Sequence, residues 1–364
     1  MRRRISSFLA TGLIGLAACQ DSGPTNPAQA KFDPAAVSAN LAIIDRVNSA
    51  PVLKSFRALG DQAIAGGVTA VSVRDIQAKI ASGHGIGVMR DVAARLAGLV
   101  ASTTAGPALV PIIRTDVLGK TFVYDAAAKK YVIDPARTGA PPNGVRFILY
   151  EIDDATQQPN VGKEIGYSDL IDQKVSSPSS LGLRLVVISH GETYLDYRFG
   201  ISGGIERAAI TVAGFMGDGT DRVNFNLTLS GQLVGRNGAV TLEASLEIPA
   251  HNFTATAKVQ GVAGVENGDG QIDLALHLGA DLVTLTSRVN GNRLDATVKM
   301  NGKTFATATG DPKSPVIKGD GGRDLTAEEL GALGQIVGFA GQLFGIFGGL
   351  LAPVGGLILV GFGL

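Results

Sequence analysis

The apolar residues of this chain change period twice, and the changes divide it into regions. From Asp33 to about residue 101 they recur at helical spacing. Asp33-Pro34 supplies an N-cap residue with proline in the first helical position. Leu41, Ile44 and Val47 share one face, and Ile43 widens it. A second helix is predicted from Pro51 to Leu59, stopped by Gly60, with Leu53, Phe56 and Leu59 on its apolar side. Weaker helical patterns cover Val73–Ile80 and Gly87–Val100.

From about residue 120 the period falls to two. Strands are predicted at 120–124, 130–134, 145–152, 182–189, 193–199, 207–216, 222–230, 239–248, 252–260, 271–278, 281–289, 293–300 and 303–309. In 239–248, Val240, Leu242, Ala244, Leu246 and Ile248 alternate with Thr241, Glu243, Ser245 and Glu247. One apolar and one polar face is the signature of an antiparallel sheet buried on one side. Asn301-Gly302 suits a two-residue type I′ hairpin, and Gly/Asp/Asn clusters punctuate the other strands. The stretch 207–309 therefore reads as an up-and-down meander, whereas 117–200 is less regular: the first half of the same sheet, or a small separate β-domain.

The last 35 positions, 330–364, carry no charge. Thr326-Ala327-Glu328-Glu329 has the form of a capping box, so a helix should start there. Gly331, Gly334, Gly338, Gly341, Gly345 and Gly348 then recur on one helical face. Each glycine costs an exposed helix about 1 kcal/mol relative to alanine, and small-xxx-small spacing (Gly334/Gly338, Gly341/Gly345) is a helix-packing signature in membranes. Pro353 and Gly355-Gly356 break the run. Three roles are open: the helix covers the apolar face of the sheet, it inserts into a membrane, or it is a surface for self-association.

The first residues read differently. Arg2-Arg3-Arg4 is a positive n-region, and Phe8 to Ala18 is an uncharged apolar run too short for a permanent span of about 20 residues. It ends Leu16-Ala17-Ala18-Cys19. These four residues resemble the bacterial lipobox. The resemblance covers residues 1–19 only and implies cleavage after Ala18 and lipidation of Cys19. A membrane partner would then be reached through that lipid, and Gln20 after the Cys favours the outer over the inner membrane. Residues 20–31 are polar and proline-containing, a flexible tether.

Composition narrows the chemistry. Without residues 1–18 the chain carries 29 basic against 32 acidic residues, net −3, which is no footprint for nucleic acid. The single cysteine excludes a disulfide framework and a cysteine-based zinc site from the mature fold. No cofactor motif is present. The densest titratable stretch is His190, Glu192, Tyr194, Asp196 and Arg198, which would share one face of a strand. It reads as an acid–base site (catalytic candidates His190, Glu192 and Asp196), a polar ligand platform, or a solvated face with cross-strand charge pairs, the last being the ordinary case. Ser189 and His190, as strand neighbours, should point to opposite faces and form no dyad. Asn267, Asp269 and Asp273 resemble the middle of a calcium-binding loop, but Val265 and Leu276 stand where its defining acidic residues belong. Asp218/Asp221 and Asp320/Asp324 lie in other Asp-Gly turns, and His84 sits in a Gly-rich loop without a preceding strand.

The expected architecture is α+β and mainly β. It comprises a signal peptide (1–18), a lipidated Cys and tether (19–32), a helical unit (33–116), a β-rich region (117–200), an antiparallel meander (201–318) and an apolar Gly-rich helical segment (319–364). The expected function is that of a non-enzymatic envelope lipoprotein, structural or holding a lipid-like ligand, loosely similar in outline to lipid-binding half-barrels. The alternatives are a membrane-inserting or homo-oligomeric protein acting through 330–364, and a periplasmic hydrolase using the His190–Arg198 strand. An integral β-barrel fits less well, because aromatic girdles are missing.

Overall fold

The computed structural model describes residues 34–59, 63–64, 113–173, 180–203, 208–231, 238–263, 270–312 and 314–339, with Leu343, Ile346 and Leu350 beyond them. Two helices, α1 (Pro34–Asn48) and α2 (Pro51–Leu59), precede the strands. The strands are β1 (Ala63–Ile64), β2 (Thr121–Asp125), β3 (Lys130–Ile133), β4 (Gly144–Ile152), β5 (Pro159–Asp172), β6 (Ser180–Ser189), β7 (Glu192–Gly203) and β8 (Ala208–Gly217). They continue as β9 (Arg222–Gly231), β10 (Gly238–Ile248), β11 (Phe253–Ala263), β12 (Gly270–Leu278), β13 (Asp281–Asn290), β14 (Arg293–Met300), β15 (Lys303–Gly310) and β16 (Val316–Gly319). A third helix, α3, covers residues 327–339.

The chain is mainly β, as the period-two pattern predicts. Among the described residues all the strands join one sheet in the order β1-β3-β2-β4, then β5 to β16 in sequence. From β4 onward each strand pairs antiparallel with the next, whereas β1–β3 and β2–β4 are short parallel contacts. The sheet continues without a break through residue 200, which lies inside β7. The predicted Asn301-Gly302 hairpin forms, both residues having positive φ (50° and 80°) and Met300 pairing with Lys303. Strand β5 was not expected from the apolar pattern. Its first half is exposed apart from Pro159, and only its second half, around Leu170, is buried.

Along β9 and β10 alternation gives the sheet one buried face. On β9, Val223, Phe225, Leu227 and Leu229 point inward, and on β10 Leu242, Ala244, Leu246 and Ile248 do the same. Helices α1 and α2 cover this face beside β4 to β9, burying Ile43, Ile44, Val47, Val52, Leu53, Phe56 and Leu59. Ser55 on α2 is buried and accepts a 3.1 Å hydrogen bond from the Tyr150 backbone N–H, at a register shift where the β4–β5 ladder is irregular. Helix α3 covers the same face farther along: Phe339 meets Phe253 of β11 edge-on, with ring centres 6.1 Å apart. Ala332, Leu333, Ile336, Phe339, Leu343, Ile346 and Leu350 are all buried, and full burial of each large side chain contributes about 1.5–3 kcal/mol. These side chains and those of α1, α2 and the sheet form one continuous core.

Candidate functional site

The titratable stretch around β7 is split by a turn. His190 and Gly191 have φ of 52° and 83° and connect Ser189 to Glu192 in a two-residue hairpin. His190 therefore stands in the turn, exposed, and not on the strand. Glu192, Tyr194, Asp196 and Arg198 do lie on β7 and alternate with the buried Leu195, Tyr197 and Phe199. The left-handed backbone at His190 also brings its ring back toward its neighbour. His190 Nδ1 is 2.9 Å from the Ser189 hydroxyl, contrary to the expectation that the two point apart. Ser189 is buried and its hydroxyl donates at 2.5 Å to the Ile165 carbonyl, so its proton is directed away from the imidazole.

Asp196 is likewise engaged. Arg184 on β6 grips it with two parallel bonds, Nε to Oδ1 at 2.8 Å and Nη2 to Oδ2 at 2.6 Å. Arg146 and Asp169 repeat this fork between β4 and β5, both contacts 2.7 Å, with the guanidinium 3.7 Å from the Tyr167 ring centre. Glu192 and Tyr194 lean toward Gly219, in the turn between β8 and β9. The arrangement is a series of cross-strand pairs on an outward face. It holds the sheet's register.

The acidic turns are held by arginine and backbone. In the β8–β9 turn, Asp218 accepts from the N–H groups of Thr220 (2.9 Å) and Asp221 (2.8 Å) and from Arg46 Nε of α1 (2.8 Å). Burial alone would raise the Asp218 carboxyl. The Asp221 N–H, the Arg46 guanidinium and the Thr220 N–H outweigh that and hold it below the usual carboxylate range. Asp221 receives Arg46 as well and lies 3.2 Å from His251 Nε2. Asp324 pairs with Lys318 at 2.6 Å. Of the calcium candidates, Asn267 and Asp269 lie outside the described residues, and Asp273 on β12 accepts from Gln271 Nε2 at 2.6 Å. Among the described residues no three His, Cys, Asp or Glu side chains gather as a metal site. Nothing in the local sequence signals the partner of Asp218 and Asp221, because Arg46 comes from a distant segment.

At α3 the capping box is made as read. Glu329 N–H donates to Thr326 Oγ1 (3.2 Å), and Thr326 N–H donates to Glu329 Oε2 (2.9 Å). Arg323 adds a fork to the same carboxylate at 2.8 and 2.6 Å. Gly331, Gly334 and Gly338, the described members of the glycine face, point away from the core. Gly331 and Gly338 are exposed, Gly334 is half-exposed, and a Cβ at any of the three would meet open space. Gly341 and Gly345 lie outside the described residues, as do Leu16, Ala17, Ala18, Cys19, His84 and the helical patterns at 73–80 and 87–100. Among the described residues no helix is long and apolar enough to cross a membrane.

Comparison of the chain with protein-family models, with curated proteins and with solved structures finds no match.

Proposed function

We propose that this chain is a non-enzymatic cell-envelope lipoprotein, anchored through Cys19, whose sheet is a scaffold filled by its own helices. The observation that carries the reading is the occupant of the apolar face. Leu333, Ile336, Phe339, Leu343, Ile346 and Leu350 take the place beside β11 and β7 that a lipid-like ligand would need. The pairing of Asp196 with Arg184 and of the Ser189 hydroxyl with a carbonyl argues against a hydrolase on β7. Burial of one α3 face likewise favours a covering role over membrane insertion through 330–364. Anchoring and the outer-membrane address rest on Leu16-Ala17-Ala18-Cys19-Gln20.

Two measurements test this. Metabolic labelling with an alkynyl fatty acid should mark the wild type and not Cys19→Ser, and the labelled protein should sediment with outer membrane. The Cys19→Ser chain should then be soluble without detergent and yield no stoichiometric lipid on solvent extraction. Extracted lipid would favour a carrier, and a need for detergent would favour an inserter. A stable dimer by light scattering would favour assembly through the outward glycines.

A further inference from the structure

Three asparagines among the described residues stand directly before a glycine: Asn143, Asn290 and Asn301. All three are exposed, so burial does not tell them apart. Hydrogen bonding does. The Asn143 amide donates to the Asp172 carbonyl at 3.0 Å, and the Gly144 N–H donates to the Pro141 carbonyl at 3.0 Å. Asn301 is held at both ends of its amide: Oδ1 accepts the Leu282 N–H at 2.8 Å, and Nδ2 donates to Asp281 at 2.9 Å. Asn290 ends β13 and pairs with Arg293 at the turn to β14. Among the described residues its side chain makes no hydrogen bond, and the Gly291 N–H that follows it meets no acceptor. Gly291 itself has φ of 57°, with nothing within 4 Å of where a Cβ would stand.

We propose that Asn290 is a site of spontaneous deamidation, left open by the same fold that protects Asn143 and Asn301. The Gly291 nitrogen attacks Asn290 Cγ, and its proton passes through solvent to the leaving nitrogen. The Cγ–Nδ2 bond breaks, ammonia departs, and a five-membered succinimide closes. Water then adds to one of the two ring carbonyls. Opening at Cγ leaves aspartate. Opening at the backbone carbonyl leaves isoaspartate, with Gly291 joined through the side-chain carbon. One water is consumed and one ammonia released, with no change of oxidation state. Glycine in the following position makes the attack feasible, because no Cβ crowds the nucleophile. At Asn301 the electrophile must first leave two hydrogen bonds. At Asn143 both the electrophile and the nucleophile are engaged. Each such bond slows the attack by up to about tenfold. The product sets a carboxylate opposite Arg293, and the iso form adds a methylene to the backbone at the last pair of the β13–β14 hairpin.

The test is peptide mapping by mass spectrometry of the full Cys19→Ser chain, incubated at neutral to mildly alkaline pH in water enriched in heavy oxygen, both folded and in urea. In the folded chain Asn290 should take up heavy oxygen and appear as aspartate and isoaspartate about tenfold faster than Asn143 or Asn301, or more. In urea the three rates should converge. Asp281→Ala removes one of the two bonds on Asn301 and should speed conversion there while leaving Asn290 unchanged. Circular dichroism checks that this variant folds, and the comparison of folded with unfolded chain keeps the test decisive if it does not. Conversion of Asn290 no faster than that of Asn143 and Asn301 in the folded chain overturns the proposal. The same order and spacing of rates in urea overturns it too, because local sequence and not the fold would then set them. An Asn301 rate unmoved in folded Asp281→Ala removes hydrogen bonding as the protection and overturns it likewise.

Discussion

The Tyr197 hydroxyl donates a 2.9 Å hydrogen bond to the Leu350 carbonyl, joining β7 to a residue 153 positions later. Tyr197 is fully buried, and burial pushes its phenol far above its ordinary value, so it remains a neutral donor. Its ring also packs on Phe225, centres 5.9 Å apart. Tyr197→Phe keeps the ring and removes the donor. It should lower unfolding free energy by about 1–3 kcal/mol, the cost of a buried carbonyl left without its partner. Urea denaturation of the Cys19→Ser background measures this. An unchanged midpoint would mean that the segment around Leu350 does not depend on Tyr197.

The start of α3 makes a pH prediction. The Arg323 guanidinium holds Glu329 below the usual carboxylate range, against partial burial that opposes it, with the Thr326 N–H and hydroxyl helping. A depressed carboxyl contributes stability that is complete above the ordinary carboxylate range and lost as pH falls through its folded value. Stability should therefore decline on the acid side below that range. Glu329→Gln keeps an acceptor for the Thr326 N–H and loses the ion pair. Thermal melts from neutral to acid pH should show it less stable at neutrality and less sensitive to acid. Parallel curves for variant and wild type would refute the assignment.

How far the chain could be read in advance depended on where each strand's partners lie. Strands β9 to β12 alternate cleanly because every residue faces either core or water, so their period survives in the sequence. Strand β5 does not: Asn160, Val161, Gly162, Lys163 and Glu164 are all exposed, and the strand is held by ladder bonds to β4 and β6 rather than by an apolar row. The capping box was legible because its two residues are three apart. The partner of Asp196 was not, since Arg184 reaches it diagonally from another strand. The direction of the glycine face was hidden for a different reason. Helical spacing shows that Gly334 and Gly338 share a side, and only the position of Phe253 against Phe339 shows which side meets the sheet.

The β6–β7 turn offers a test of backbone strain. His190 pays the steric cost of φ = 52°, in the first central position of a turn whose second is Gly191. Asparagine tolerates this conformation better, and Asn-Gly is the preferred type I′ pair. His190→Asn should raise stability by a few tenths to about 1 kcal/mol. A chemical denaturation curve decides it. Loss of stability would assign the His190–Ser189 contact a structural weight that its exposed ring does not suggest.

Two glycines should respond to alanine with opposite signs. At Gly214 on β8, a Cβ would lie 2.1 Å from the Asp196 carbonyl oxygen and 2.5 Å from the Tyr197 Cα. Backbone cannot yield as a flexible side chain does, so Gly214→Ala should destabilise by about 1–3 kcal/mol or prevent folding. At Gly338 the added methyl meets nothing within 4 Å, and the residue is exposed in α3. If the folded chain alone sets the requirement there, Gly338→Ala should stabilise by about 1 kcal/mol through helix propensity. Gly334→Ala should do the same. Differential scanning calorimetry of Gly214→Ala, Gly338→Ala and the Gly334/Gly338 double variant is the measurement. A rise in melting temperature for the α3 variants means that the glycines impose a cost the isolated fold does not require. A fall would mean that something packs against that face closely enough to exclude a methyl group.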